Sequence, residues 1–198
     1  KVDKKYEVAI ETALGGNIQN IVTDTETTAK ETIEYLKKNK WVAGDKIGIQ
    51  GQSWGGYQVA HLITRTNMYA AAWAGAPVWN MTSAYGGIRW QTGMSRQFQY
   101  ERTQSRIGKN LWEAQDLYIE NSPLFFTPNV NTPVAIMHND DDGAVPWYQG
   151  IEMFMSLRRL GKPAWLLNYN NDDHNLENRA NRNDIQRRQQ QFFDHYLK

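Results

Sequence analysis

The chain reads as an α/β domain carrying a mostly parallel sheet with helices on both faces. Three observations predict this. Short apolar strands alternate with segments of helical period, the pattern of parallel strands joined by right-handed crossovers. Residues 69–77 are apolar without interruption, as befits a strand covered on both sides. A glycine-flanked turn with one serine at its apex joins the first strand to the helix after it. The 198 residues, 40% apolar, suffice for one domain with a substantial core and are too few for two comfortable ones.

Taken in order, residues 1–24 are weakly periodic, with Gly15, Gly16 and Asn17 as a turn. Residues 25–40 are predicted helical, with Ile33, Leu36 and Trp41 on one side. Thr27 or Thr28 suits the N-cap, and Glu31 completes a capping box. Gly44 and Asp45 turn the chain into a strand over 46–50, and a helix leaves through Tyr57 and Ile63. After the strand at 69–77, residues 78–121 are aromatic and short of strand pattern, so they are read as helices over the carboxyl ends of the strands. A third strand spans 133–138 and ends in a polar turn at 139–143. The helix from about Pro146 places Ile151, Phe154, Leu157 and Leu160 at helical spacing and stops at Gly161. A fourth strand spans 164–169, and a final helix from about 181 to 197 buries Ile185, Phe192, Phe193 and Leu197. No internal repeat interrupts this order.

The bulk properties narrow the function. Net charge is +1 and no basic face stands out, which argues against nucleic acid as a partner. Arg179, Arg182, Arg187 and Arg188 are interleaved with Asp184, Gln186 and Gln189, as on the wet side of a helix. With 0 cysteines there are no disulfides and no thiolate metal sites, which suits either side of a membrane. No apolar run approaches the ~18 residues of a membrane span. Lys1-Val2-Asp3-Lys4-Lys5 does not read as a signal peptide.

The turn at Gly51-Gln52-Ser53-Trp54-Gly55 carries the chemistry. Gly-x-Ser-x-Gly arises by chance in roughly one chain of this length in fifteen. Here a strand precedes it and a helix follows, the context that defines the nucleophile elbow of the α/β-hydrolase fold. Gly51 and Gly55 are expected where a Cβ would collide with neighbouring backbone. Ligands and reactions in such sheets gather beyond the carboxyl ends of the strands, and Ser53, the acidic turn at 140–142 and His174 all fall there.

A serine hydroxyl needs a base to take its proton, and an imidazole needs a carboxylate to fix its tautomer. Of the histidines, His61 and His195 lie within helices and read as structural. His138 ends a strand beside the acidic turn, and His174 sits in a polar loop after the last strand, where the base belongs. Asp140, Asp141 and Asp142 compete for the acid, with Asp172 and Asp173 read as loop charges. A calcium loop is the rival reading of the acidic turn. It would put His138 first and Gln149 twelfth, where carboxylates belong, so no metal is expected. The backbone N–H of Trp54 is the expected oxyanion donor; residues 1–45 offer no second one.

Gly51-Gln52-Ser53-Trp54-Gly55-Gly56-Tyr57, Ala76-Pro77-Val78, residues 138–145 and Asp173-His174-Asn175 resemble the catalytic domain of the prolyl oligopeptidase family. The likeness is to its dipeptidyl-peptidase and acylaminoacyl-peptidase branches. The family motif His-Gly-x-x-Asp-x-x-Val aligns with His138, Asp142 and Val145, so the resemblance assigns Ser53, Asp142 and His174 as the triad. It also implies an apolar substrate pocket at Trp79, Tyr85 and Val145. Asn139 and Asn175 stand where the family has Gly, and Ala144 where dipeptidyl peptidases have Asn. The implied activity is hydrolysis of short peptides through an acyl-enzyme, with no cofactor; a carboxylesterase or lipase of the same fold, or an inert piece of a peptidase, are the alternatives. Family members place a β-propeller and the first sheet strands ahead of this region. The resemblance thus makes residues 1–198 the C-terminal part of an α/β-hydrolase fold. Self-association, or pairing with the upstream domain, would cover the apolar edge expected at the elbow strand.

Overall fold

The computed structural model describes residues 26–40 and 42–198, which fall into two compact units divided after Gly44. In the first unit, α1 (Glu26–Lys37) runs through Thr27 and Thr28, so neither caps it. A β-branched Thr costs only a few tenths of a kcal/mol inside a helix, too little to stop one here. Ile33 is half-buried. Trp41, the side chain of Leu36 and the turn at Gly15 lie outside the described residues.

The second unit is built on a four-stranded, all-parallel sheet of β1 (Gly48–Gln52), β2 (Ala71–Gly75), β5 (Val134–Met137) and β6 (Ala164–Leu167), in spatial order β1-β2-β5-β6. Its helices are α2 (Trp54–Arg65), α3 (Met81–Tyr85), α4 (Gln115–Glu120), α5 (Tyr148–Arg159) and α6 (Arg179–Leu197). The predicted α/β class is the one that forms. Alternation along each strand fills both faces. Ala72, Ala74, Val134 and Ile136 pack with Val59, Ala60 and Ile63 of α2 and Met153 and Leu157 of α5. Trp73, Ala135 and Met137 point the other way and meet Ile185, Phe192 and Phe193 of α6.

Several boundaries differ from the pattern-based ones. β1 begins and ends two residues later than 46–50, and its outward side chains are Gln50 and Gln52. Among the described residues β1 is an edge strand, but a short one edged with glutamines rather than a long apolar one. In α5 the buried line is Gly150, Met153 and Leu157; Leu160 has already left the helix and is exposed. Gly161, at φ +67, closes α5 as expected: its N–H bonds Arg158 O at 3.1 Å and Lys162 N–H bonds Leu157 O at 2.9 Å, the two bonds of a Schellman cap.

Residues 78–121 hold less helix than expected. They form α3, a small antiparallel hairpin of β3 (Ile88–Arg89) and β4 (Met94–Ser95), a π-helical turn (Gln99–Thr103) and α4. The segment is fastened from α5: Gln149 Oε1 accepts from Trp79 N at 2.9 Å and Asn80 N at 2.8 Å. Asn80 in turn caps α3 by accepting from Thr82 N at 3.0 Å. Tyr57, Val78, Met81, Tyr85, Tyr100, Tyr118 and Val145 form a second apolar cluster beneath it.

Candidate active site

Ser53 stands between the last residue of β1 and the first of α2, with φ 61 and ψ −118. A non-glycine residue in that region is strained, at a cost of order 1–3 kcal/mol. Ser53 N–H donates to Gly75 O at 2.8 Å and Ser53 O accepts from Tyr57 N at 2.9 Å, which holds the strain in place. The glycines around it divide unexpectedly. A Cβ on Gly51 would lie 2.3 Å from Gly55 O, and one on Gly56 2.3 Å from Gly75 O, whereas a Cβ on Gly55 would meet nothing within 4 Å. The close approaches therefore fall on Gly51 and Gly56, not on Gly51 and Gly55. α2 leans on β2 through Gly56, and β1 folds back on the elbow through Gly51. Trp54 opens α2, so its N–H has no acceptor within the helix.

Asp142 and His174, expected as acid and base, come from the loops after β5 and β6. Asp142 is 4% exposed. Its Oδ1 accepts from Ala144 N at 2.9 Å and Val145 N at 2.8 Å. Its Oδ2 lies 2.8 Å from His174 Nδ1 and 3.3 Å from His138 Nε2. Burial alone would raise this carboxyl; the bonds from His138 and His174, with the Val145 N–H, outweigh it and hold Asp142 well below the usual carboxylate range. With Nδ1 on the carboxylate, the proton-accepting Nε2 of His174 is left for a hydroxyl. Gln52 Nε2 donates to His174 O at 2.9 Å, so the residue before Ser53 tethers His174 to the elbow. Ser53 Oγ makes no cap bond to α2.

The remaining acids do other work. Asp140 Oδ1 accepts from Asn171 N at 3.0 Å, and among the described residues no group of His, Asp and Glu is arranged to hold a metal ion. Asp172 is not a loop charge. It is 3% exposed, accepts from Glu177 N, Asn178 N and Asn181 Nδ2, and braces the entry to α6. Asp173 likewise accepts backbone N–H groups. A short loop between strand and helix leaves its backbone donors unpaired, and aspartate supplies the acceptors.

Beside the elbow lies a cavity of about 220 Å³ lined by Trp54, Tyr57, Met81, Gln104, Ser105, Ile107 and Asn121. None of the three side chains expected to form the pocket lines it. Trp79 is 0% exposed and packs in the sheet core, its Nε1 donating to Ser156 Oγ at 3.0 Å. Tyr85 and Val145 lie in the cluster that backs the cavity, with the Tyr85 hydroxyl on Glu101 Oε1 at 2.6 Å. Met81, from the same buried cluster as Tyr85 and Val145, reaches the cavity together with the partly buried Trp54 and Ile107. That Met81 and Ile107 line this cavity is not legible in the sequence, because isolated aliphatic residues in an irregular segment carry no period. Nor is the part played by Gln52, because it depends on a loop 122 positions away.

Residues 19–198 match the model of the prolyl oligopeptidase family. The chain is 26% identical over 153 residues to the uncharacterized peptidase YuxL of Bacillus subtilis, covering 77% of this chain and 22% of that protein. It is 28% identical over 146 residues to the acylamino-acid-releasing enzyme of Rattus norvegicus, covering 73% of this chain and 20% of the enzyme. The Pyrococcus horikoshii acylaminoacyl peptidase superposes with a TM-score of 0.68 at 24% identity, over 83% of this chain and 26% of its own. The chain thus spans about a fifth of the length of these curated relatives. A different similarity is short: 40 residues, 20% of the chain, are 58% identical to chromosome partition protein Smc of Halothermothrix orenii, of which they make up 3%. Among the described residues no helix is long and apolar enough to cross a membrane. With its strained serine turn, its carboxylate–imidazole pair and a family match running from residue 19 to residue 198, the chain belongs to the prolyl oligopeptidase family.

Proposed function

We propose that this chain carries the catalytic machinery of a serine peptidase acting on short peptides. Ser53 Oγ attacks the acyl carbon while His174 Nε2 takes its proton. The carbonyl oxygen becomes an oxyanion facing the Trp54 N–H. His174 then returns the proton to the leaving amine, and the acyl-enzyme is released by water activated at the same imidazole. Asp142 keeps its charge throughout, fixing the tautomer and stabilising the imidazolium. The observation that carries this reading is the 2.8 Å bond between His174 Nδ1 and a carboxylate whose other oxygen is already held by two backbone donors. That acid can serve only as an orienting, charged partner.

The cavity, lined by Trp54, Tyr57, Met81 and Ile107 with Gln104, Ser105 and Asn121 among them, fits a side chain of mixed apolar and polar character next to the scissile bond. The family match and its peptidase relatives favour peptides over simple esters. The share of the relatives' length supports a longer peptidase in which upstream strands and a propeller supply the second oxyanion donor and bound the substrate.

A fluorophosphonate probe tests the core claim. Covalent label is expected on Ser53, with none on Ser53→Ala and loss of labelling on His174→Ala. A folded wild-type chain that takes up no label, alone and in its full-length peptidase, would refute the reading. Comparing p-nitrophenyl esters with Ala-Pro anilides then separates ester from peptide preference.

A further inference from the structure

The loops bearing the acid and the base are joined by more than the His174–Asp142 bond. Asp173 Oδ1 accepts from Gly143 N at 2.9 Å, next to the acid, and from His174 N at 2.6 Å. Its Oδ2 accepts from Gln91 Nε2 at 3.1 Å, while Gln91 N donates back to Gly143 O at 3.1 Å. From the other side, Asn139 Nδ2 donates to Asp173 O at 2.8 Å, and Asn139 Oδ1 accepts from Tyr169 N at 3.2 Å. Asn139 is 1% exposed and occupies the position where the related motif has a glycine, which could make neither bond.

We propose that Asp173 is the positioning residue of the base, clasping the acid loop to the base loop, with Asn139 as its counterpart on the acid side. The clasp fixes the main chain on both sides of the imidazole–carboxylate pair, so the ring needs no reordering when proton transfer begins. Asp173 acts through His174; it is given no contact with substrate. The physical reason for the pair is the short strand ends. β5 stops at Met137 and β6 at Leu167, leaving each loop several residues beyond the last ladder bond, where the sheet no longer sets their spacing. Side-chain bonds take over that task, several of them sharing Asp173 as a common acceptor and so fixing both loops at once.

This inference rests on the serine-peptidase reading, and its test is chosen to separate the two. Steady-state kinetics and proton NMR are measured on wild type, Asp173→Ala, Asp173→Asn and Asn139→Gly. Asp173→Asn keeps an acceptor oxygen for Gly143 N and His174 N. Asp173→Ala is expected to lower kcat roughly 10- to 100-fold with little change in KM, because small misplacements of catalytic groups cost about that much. Asp173→Asn is expected to restore most of the loss. The downfield resonance of the hydrogen-bonded His174 Nδ1 proton should broaden or vanish in Asp173→Ala and persist in Asp173→Asn. Asn139→Gly, which removes both side-chain bonds and loosens the loop backbone, should show the same kind of loss, and it carries the test if Asp173→Ala does not fold. Wild-type kcat and an intact resonance in these variants would overturn the proposal, as would a loss confined to KM or an Asp173→Asn as impaired as Asp173→Ala. If wild type proves inert toward peptides and the probe, the peptidase reading falls, and the resonance still decides whether Asp173 orders the pair.

Discussion

Gln52 Nε2 donates to the carbonyl of His174 at 2.9 Å, so the side chain just before Ser53 holds the main chain of His174. Ser53 and His174 lie 121 positions apart, on loops at the ends of β1 and β6, the two edge strands of the described sheet. Nothing in the strand ladder links those edges directly. The glutamine spans them, and Asp142 closes the arrangement from the β5 loop in between. Replacing Gln52 with Ala should lower kcat/KM about 5- to 10-fold, the worth of roughly one hydrogen bond that fixes geometry. Thermal unfolding should change little, because the side chain is exposed. A variant of unchanged kcat/KM would show that the tether has no part in aligning the base.

The glycines of the elbow make a sharper structural prediction, because three neighbours of one residue type should behave oppositely. Gly55→Ala places its methyl in open space within a helix, where Ala outranks Gly by up to about 1 kcal/mol. It should fold and be slightly stabilised. Gly56→Ala drives a methyl to 2.3 Å from Gly75 O, a backbone atom of a buried strand that cannot step aside. It should lose roughly 3 kcal/mol or fail to fold, and Gly51→Ala should behave likewise. Urea unfolding of the three variants checks the order; equal stabilities would contradict the packing described for α2.

How much of this was legible in the chain follows from the range of the forces involved. The elbow was readable because its signal is local: a strand, a constrained turn and a helix within some fifteen residues. The buried strand at 69–77 was readable because burial on two faces demands unbroken apolar character. Trp79 was misassigned for the same reason that makes it conspicuous. A large indole after a strand can serve a pocket or a core, and the decision rests on Gln149 and Ser156, which arrive 70 and 77 positions later. Asp172 and Asp173 looked like solvated charge because composition does not show which backbone N–H groups a loop leaves unpaired. The irregular course of 78–121 escaped because a small hairpin and a π-helical turn are set by tertiary bonds such as Gln91 N to Gly143 O at 3.1 Å, not by period.

Several tyrosines make stability depend on pH at the alkaline end, and the direction can be derived. Burial pushes the Tyr118 hydroxyl up to about 12. Burial, reinforced by the hydroxyl's bond to the Asp184 carboxylate at 2.9 Å, pushes Tyr169 up to about 12. Burial also raises Tyr57 and Tyr100. In the unfolded chain each titrates near the ordinary 10.0. A group whose folded value is raised favours the fold while it stays protonated. The contribution is therefore complete below 10.0 and is lost as pH climbs from 10.0 toward about 12, where the unfolded chain releases protons that the folded one retains. Unfolding free energy measured with urea should run level from neutral pH to the lower bound and then fall steeply across that window. Tyr169→Phe removes one of the responsible hydroxyls. It should cost about 1 kcal/mol at neutral pH through the lost bond to Asp184 and should reduce the alkaline slope. A wild-type stability that stays flat across the window would place these hydroxyls in water rather than in the cluster beneath 78–121 and under α6, and a Tyr169→Phe curve parallel to wild type would do so for Tyr169, which packs with Phe192 and Phe193 of α6.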